Sequence, residues 1–297
     1  MDFRDKVFIA VAESLSFSKA AEKLYVSQPA ISRHIKEMET TLGIQLFERK
    51  GNRVYLTLAG EISYNHLKKV VQLYGELDFA LGALKDEHKG VLRIGASSTI
   101  AQYVIPSLLA VFHKRYPNIE LDLFNGNSFD MEQKLLKNDI DLALVENNSS
   151  NNNLKYINFA EDNIVAIVGV NSPLSHQNTL DLNDLLQIPI VMREYGSGTL
   201  QVIEQAFTSA GIKFENLPIL LHLGSTEAIK NFLVNFDGIG FVSEEAIKKE
   251  LLLKTLKQIF ITNLNIKRFF RIALPLGSEL NVPKQFVRFL LANNKRL

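Results

Sequence analysis

Gln28, Pro29, Ser32, Arg33 and Lys36 recur at steps of one, three, one and three residues, which gathers them on one face of a helix. Gln and Arg can each make two parallel hydrogen bonds to a purine edge, and a Pro or Ser surface can meet a thymine methyl group. Lys36, with Ser18 or Ser27, suits phosphate contacts, which hold a protein in place without reading sequence. Other chemistry is poorly supplied. The chain has no cysteine, so disulfides, thiolate metal sites and cysteine nucleophiles are excluded. His34, His66, His88, His113, His176 and His222 stand at no metal-ligand spacing. Gly238-Ile239-Gly240 falls short of a dinucleotide fingerprint, with Ser243 in place of the third glycine. Asp139 with Asp141, and Glu244 with Glu245, read as solvated carboxylates near helix ends. No catalytic set, metal or cofactor is expected, and the chain is not expected to be an enzyme.

The elements that must carry the polar face are legible around it. Phe3, Val7, Phe8, Ala10, Val11 and Leu15 predict a first helix over 2–14. Ser16 or Ser18 can cap a second helix, Lys19–Leu24, with Ala20, Ala21 and Leu24 inward. Ser27 is the natural cap of a third helix, whose first turn tolerates Pro29. Ile31, Ile35, Met38 and Leu42, spaced four, three and four, form its buried stripe, and Gly43 ends it. Beyond it, two β-like segments flank Lys50-Gly51-Asn52-Arg53, a hairpin whose Arg53 can enter a minor groove. Between residues 16 and 57 seven basic residues face four acidic ones, a modest patch. The same geometry also fits a three-helix bundle used for protein contact.

Leu67, Val70, Tyr74, Leu77, Leu81 and Leu84 are spaced three, four, three, four and three, an a/d seam between Ala59 and about Glu87. Such a narrow seam favours a two-helix contact, and hence a two-fold arrangement of the reading helices. The alternative is a long helix packed only on its own domain.

From Gly90 strands and helices alternate. Strands are predicted at Val91–Ala96, Ile119–Phe124, Leu142–Val145, Asp162–Val170, Ile188–Arg193, Pro218–Leu223 and Ile266–Leu274. Helices are predicted at Ile100–Tyr116, Phe129–Lys137, and near 199–210, 225–236 and 283–293. The alternation implies an α/β fold with mainly parallel strands, long enough for two lobes. Ligands bind beyond the carboxyl ends of such strands. Ser97-Ser98-Thr99 and Gly196-Ser197-Gly198-Thr199 each offer hydroxyls and backbone N–H groups at a helix N-terminus, a favourable place for an anion. As ordinary caps and turns they would have no ligand.

Phe17–Ala21, Val26–Ile35, Leu42–Arg49 and Leu56–Gly60 together closely resemble the signature of LysR-type transcriptional regulators. The resemblance covers essentially the whole chain and is tightest in this N-terminal part. It implies an all-α winged helix-turn-helix at 1–58 and a long dimerising linker helix at 59–89. It further implies a two-lobed α/β domain at 90–297, like a type 2 periplasmic binding protein. Lobe 1 would take about 90–161 and 267–297, and lobe 2 about 162–266. By the same resemblance Gln28, Pro29, Ser32 and Arg33 lie in the major groove and Arg53 on the wing. Pocket positions fall on Ser98, Thr99, Ser128, Glu146, Gly196, Ser197, Gly198 and Thr199. Glu194–Thr199 is similar to the branch related to sulfur and carbon-fixation regulators, which often carries arginine directly after the threonine. Here that residue is Leu200, which weakens the case for a strongly charged inorganic anion. Glu146 would also repel an anion unless protonated or paired.

The expected partners are double-stranded DNA with an interrupted palindrome, a small-molecule effector (a small anion among the candidates), RNA polymerase, and further copies of the chain in a homodimer or homotetramer. Net charge is only +1 over 297 residues, so the whole molecule does not announce a nucleic-acid partner. The start, Met1–Lys6, is charged and leads into no secretory hydrophobic region. The longest apolar stretch, Ile164–Val170, is too short to span a bilayer. A cytoplasmic protein without membrane contact is therefore expected.

Overall fold

The computed structural model describes residues 2–51, 53–83, 90–148, 150–277 and 281–293, which form parts of two compact units, Met1–Gly90 and Val91–Leu297. Asn52, Leu84 and His88 lie outside the described residues.

In the first unit α1 is Phe3–Ser14, closed at its start by a reciprocal Asp2–Asp5 capping box. α2 is Phe17–Leu24 and begins earlier than its alanines suggest, because the Ser16 hydroxyl accepts the Lys19 N–H at 3.3 Å. α3 is Gln28–Leu42, with Ser27 at its N-cap and Gly43 in the left-handed conformation, φ 67°, at its end. Ser27 makes no side-chain cap bond; its carbonyl accepts from Ala30 and Ile31 instead. Ile31 and Ile35 are buried and Met38 partly so, but Leu42 is 52% exposed. The stripe outruns the core: the last turn of α3 is not among the residues packed against α1 and α2.

β1, Phe47–Lys50, pairs antiparallel with β2, Arg53–Leu56, in the register Lys50↔Arg53. α4, Leu58–Ala83, follows. The Thr57 hydroxyl fixes the junction, donating to the Gln45 carbonyl at 2.7 Å and accepting the Gly60 N–H at 3.0 Å. A Cβ on Gly60 would stand 2.1 Å from the Leu46 carbonyl oxygen, so only glycine allows this approach. Tyr64 and Leu67 of α4 pack on the core built around Val7, Phe8, Val11, Ile31 and Leu46. Further along α4, Leu73, Tyr74, Leu77 and Leu81 stay exposed.

The second unit begins with β3, Gly90–Ser97. Residues Ile100–Val104 form a π-helical turn before α5, Ile105–Arg115. One continuous helix was expected here. Pro106 lacks the N–H that would continue the ladder, and Ile105 donates instead to the Ile100 carbonyl, five residues back. β4 is Ile119–Gly126, α6 Ser128–Leu136, β5 Leu142–Val145 and β6 Leu154–Gly169. β7 is Thr179–Leu180, β8 Ile190–Arg193, α7 Gly198–Ser209, β9 Ile219–Leu223 and α8 Thr226–Leu233. β10 is Ile239–Ser243, α9 Lys248–Leu253, β11 Leu256–Ile261, β12 Ile266–Pro275 and α10 Asn281–Asn293.

The strands run in the order β4-β3-β5-β12-β6-β10-β8-β9, with β11 on β6 and β7 on β11. β3 and β5 are parallel, as are β10 with β8 and β8 with β9. The expectation of a mainly parallel sheet fails at the centre. β6 and β12 form a long antiparallel pair there, and β12 joins β5 and β6 joins β10 antiparallel as well. This pair connects two parallel halves, one carrying α5, α6 and α10, the other α7 and α8. β6 also starts eight residues earlier than the predicted strand Asp162–Val170, and β10 and β11 were not anticipated.

Candidate functional site

The outer face of α3 stands in solvent. Gln28, Pro29, Arg33 and Lys36 are exposed and Ser32 is half-buried, with the Gln28 amide donating to the Ser32 hydroxyl at 2.9 Å. Arg33 donates to Glu37 at 2.8 Å, one turn along the helix, and the guanidinium side chain remains 80% exposed. That contact holds the Glu37 carboxyl below its ordinary range. An exposed pair of this kind is weak and leaves the guanidinium free to be redirected. Ser18 and Ser27 are exposed, as is Arg53 on the second strand of the hairpin.

In the second unit the end of β3, the loops after β3 and β5, and the starts of α6 and α7 meet around Glu146. It is 1% exposed. Thr199 donates to its Oε1 at 2.7 Å and Thr99 at 3.4 Å, while Ser97 donates to Oε2 at 3.0 Å. Its own N–H donates to the Ser128 hydroxyl at 3.3 Å. The Gly196 carbonyl accepts from the Phe129 N–H at 3.3 Å, so the loop before α7 rests on the start of α6. A Cβ on Gly198 would lie 2.7 to 2.8 Å from the Asn147 nitrogen, the Glu146 Cγ and the Ser128 Oγ, so the loop seats only with glycine here. Gly196 takes a positive φ of 87°. Ser197 is buried, and its hydroxyl has no partner among the described residues. Ser98 turns away from Glu146 and accepts from Arg193 at 2.9 Å.

Two buried arginines complete this cluster, and sequence reasoning missed both. Arg268 on β12 donates to Asp162 at 2.7 Å and to Thr199 at 2.9 Å, and its Nη1 stands 3.3 Å from Glu146. Ser243 donates to Asp162 at 2.7 Å. Arg193, at the end of β8, donates to Glu194, Thr226 and Ser98. The signal for Arg268 was available in the period of its strand. Ile266, Arg268 and Phe270 are buried while Lys267 and Phe269 are exposed, so a charge occupies the inward phase.

Burial pushes the Glu146 carboxyl up, but Arg268, Arg193 and the Thr199 and Ser97 hydroxyls outweigh it and hold it below its ordinary range. Asp162, across the same guanidinium, is pushed up, because its burial outweighs Arg268 and Ser243. The firmer charge belongs to Glu146, which gathers four donors against two at Asp162. Glu146 is thus charged and paired within the protein, through Arg268. Leu200, directly after Thr199, is buried in the apolar core.

A second polar cluster joins the two halves. The Tyr103 hydroxyl donates to Glu227, whose charge is shared with Lys230 at 2.7 Å. Lys230 is 3% exposed and also donates to Glu250 at 2.7 Å and to the Ala246 carbonyl at 2.9 Å. Burial and the neighbouring carboxylate push the Tyr103 phenol up.

Residues 6–61 match the bacterial regulatory helix-turn-helix of the lysR family, and residues 85–295 match the LysR substrate binding domain. The HTH-type transcriptional regulator CysL of Bacillus subtilis is 31% identical over 289 residues, covering 97% of this chain and 96% of that protein. A probable RuBisCO transcriptional regulator of Thalassiosira pseudonana is 33% identical over 268 residues, covering 89% of this chain and 87% of its own. The regulatory domain of Synechocystis PCC6803 CcmR, solved in complex with 2-PG, aligns with TM-score 0.64 and 28% identity, covering 70% of this chain and 99% of that one. With a helix-turn-helix matched at residues 6–61 and a substrate-binding domain matched at residues 85–295, this chain belongs to the LysR family of transcriptional regulators.

Proposed function

We propose that α3 and the hairpin read DNA through Gln28, Pro29, Ser32, Arg33 and Arg53, with Ser18, Ser27 and Lys36 on phosphates. The effector site lies between the two halves of the second unit, at Ser98, Thr99, Ser128, Glu146 and Gly196–Thr199. One observation carries this reading: hydroxyls from both halves converge on Glu146, so a ligand there touches both and can bias their angle. The CcmR regulatory domain was solved with 2-PG, which supports a small organic effector as the ligand class. The domains divide at 1–58, 59–89 and 90–297, and the lobes exchange near residues 161 and 267, beside the Asp162–Arg268 pair. The exposed Tyr74, Leu77 and Leu81 of α4 suit a second copy of the chain, giving a dimer or tetramer on an interrupted palindrome. The chain acts as a regulator rather than an enzyme, in the cytoplasm, with RNA polymerase as a further partner. Among the described residues no helix is long and apolar enough to cross a membrane.

Thermal melting of the full chain against a library of cell metabolites tests the cleft. At least one compound is expected to raise the midpoint of the wild type and to have no effect on Gly198→Leu, with DNA binding kept. Equal shifts in both proteins would remove the cleft assignment.

A further inference from the structure

Three hydroxyls and a guanidinium converge at 2.7 to 3.4 Å on the Glu146 carboxylate, from Ser97, Thr99, Thr199 and Arg268. Such a set is what a free sulfate, phosphate or carboxylate would seek. Here the protein's own side chain fills it. Arg268 stands between Glu146 and Asp162, and the second buried cation, Arg193, is itself held by Glu194, so two guanidiniums meet three carboxylates here. An anion brought to this point would face net negative charge at low dielectric. Leu200 adds no cation, since it lies in the apolar core. Nor can Glu146 swing aside freely, because Gly198 packs the loop before α7 directly against its Cγ.

We infer that Glu146 is a built-in ligand of the cleft, filling its anion-accepting donor set and restricting effectors to those that present a hydroxyl or ammonium group, not an anion, to this point. The inference rests on the cleft reading above. It makes Glu146 a specificity-determining residue. An effector's anionic group, where it has one, must lie away from Ser97, Thr99 and Thr199.

Inorganic sulfate is the probe, titrated into the full chain by calorimetry at neutral pH and constant ionic strength. Glu146→Ser removes the charge and vacates the position, and it is expected to bind sulfate about tenfold or more tighter than the wild type. Adding Thr199→Val to that variant withdraws one donor and is expected to abolish the gain. No gain in Glu146→Ser, or wild-type binding as tight as the variant's, overturns the role of Glu146. A gain that survives Thr199→Val places the anion outside this donor set and overturns the cleft reading with it. Glu146→Ala, which also vacates the position, carries the same expectation where Glu146→Ser does not fold. The wild-type titration stands independently of either variant: sub-millimolar sulfate binding overturns the inference by itself.

Discussion

Asp162 and Arg268 are directly opposite each other in the β6–β12 register, and their side chains form an ion pair at 2.7 Å. The pair sits on the two strands that join the parallel halves, and the same guanidinium reaches Thr199 and Glu146. One buried residue therefore serves both the connection between the halves and the cluster that closes them.

Arg268→Met should be severely destabilising. It leaves Glu146 and Asp162 buried without their cation, a change that costs about 3–5 kcal/mol. Urea unfolding of the full chain measures it, and a loss below about 1 kcal/mol would show that water or another group takes over the charge.

Acid should weaken the fold through Glu146. A carboxylate whose pKa is depressed in the folded state contributes stability that is present above its unfolded value. That contribution is lost as pH falls through the folded value. Since Glu146 is held below its ordinary 4.5, the unfolding free energy of the wild type should fall more steeply below that pH than that of Glu146→Gln. Parallel pH profiles for the two proteins would contradict the pairing.

Tyr103→Phe removes the hydroxyl that donates to Glu227, a half-exposed carboxylate. The expected cost is about 1 kcal/mol. Lys230→Met should cost more, because it strips the shared cation from both Glu227 and Glu250. A smaller loss for Lys230→Met than for Tyr103→Phe would mean that the cluster is held chiefly by the tyrosine.

Arg33→Ala should lower discrimination between the recognised site and random DNA by about 1–3 kcal/mol. Lys36→Ala should weaken both alike and reduce the dependence on salt. Gel-shift titrations at two salt concentrations separate the two effects, and equal losses on both DNAs for Arg33→Ala would end its base-reading role.

What was legible depended on whether a signal was local. Ile31 and Ile35 against Arg33 and Lys36 is a single-helix pattern, so α3 and its two faces follow from spacing alone. Gly43 and Ser16 mark ends through backbone chemistry carried in a few residues. Arg268 and Arg193 were missed because their meaning depends on partners far away in the chain, Asp162 with Glu146 and Ser98 with Thr226. Leu42 looked buried because its spacing continues a stripe, although it is not among the residues packed on the core of this unit. The antiparallel centre was hidden for a similar reason. β6 begins with Leu154-Lys155-Tyr156-Ile157-Asn158, whose mixed polarity masks a strand that pairs on both sides.

The central claim is that this chain reads a defined DNA site through α3. Repeated selection of random duplexes by the full wild-type chain, followed by sequencing, tests it most directly. An interrupted palindrome should be enriched by the wild type, and its half-site preference should flatten in Arg33→Ala. Binding that enriches no sequence, or the same sequence with undiminished preference in Arg33→Ala, would contradict the account.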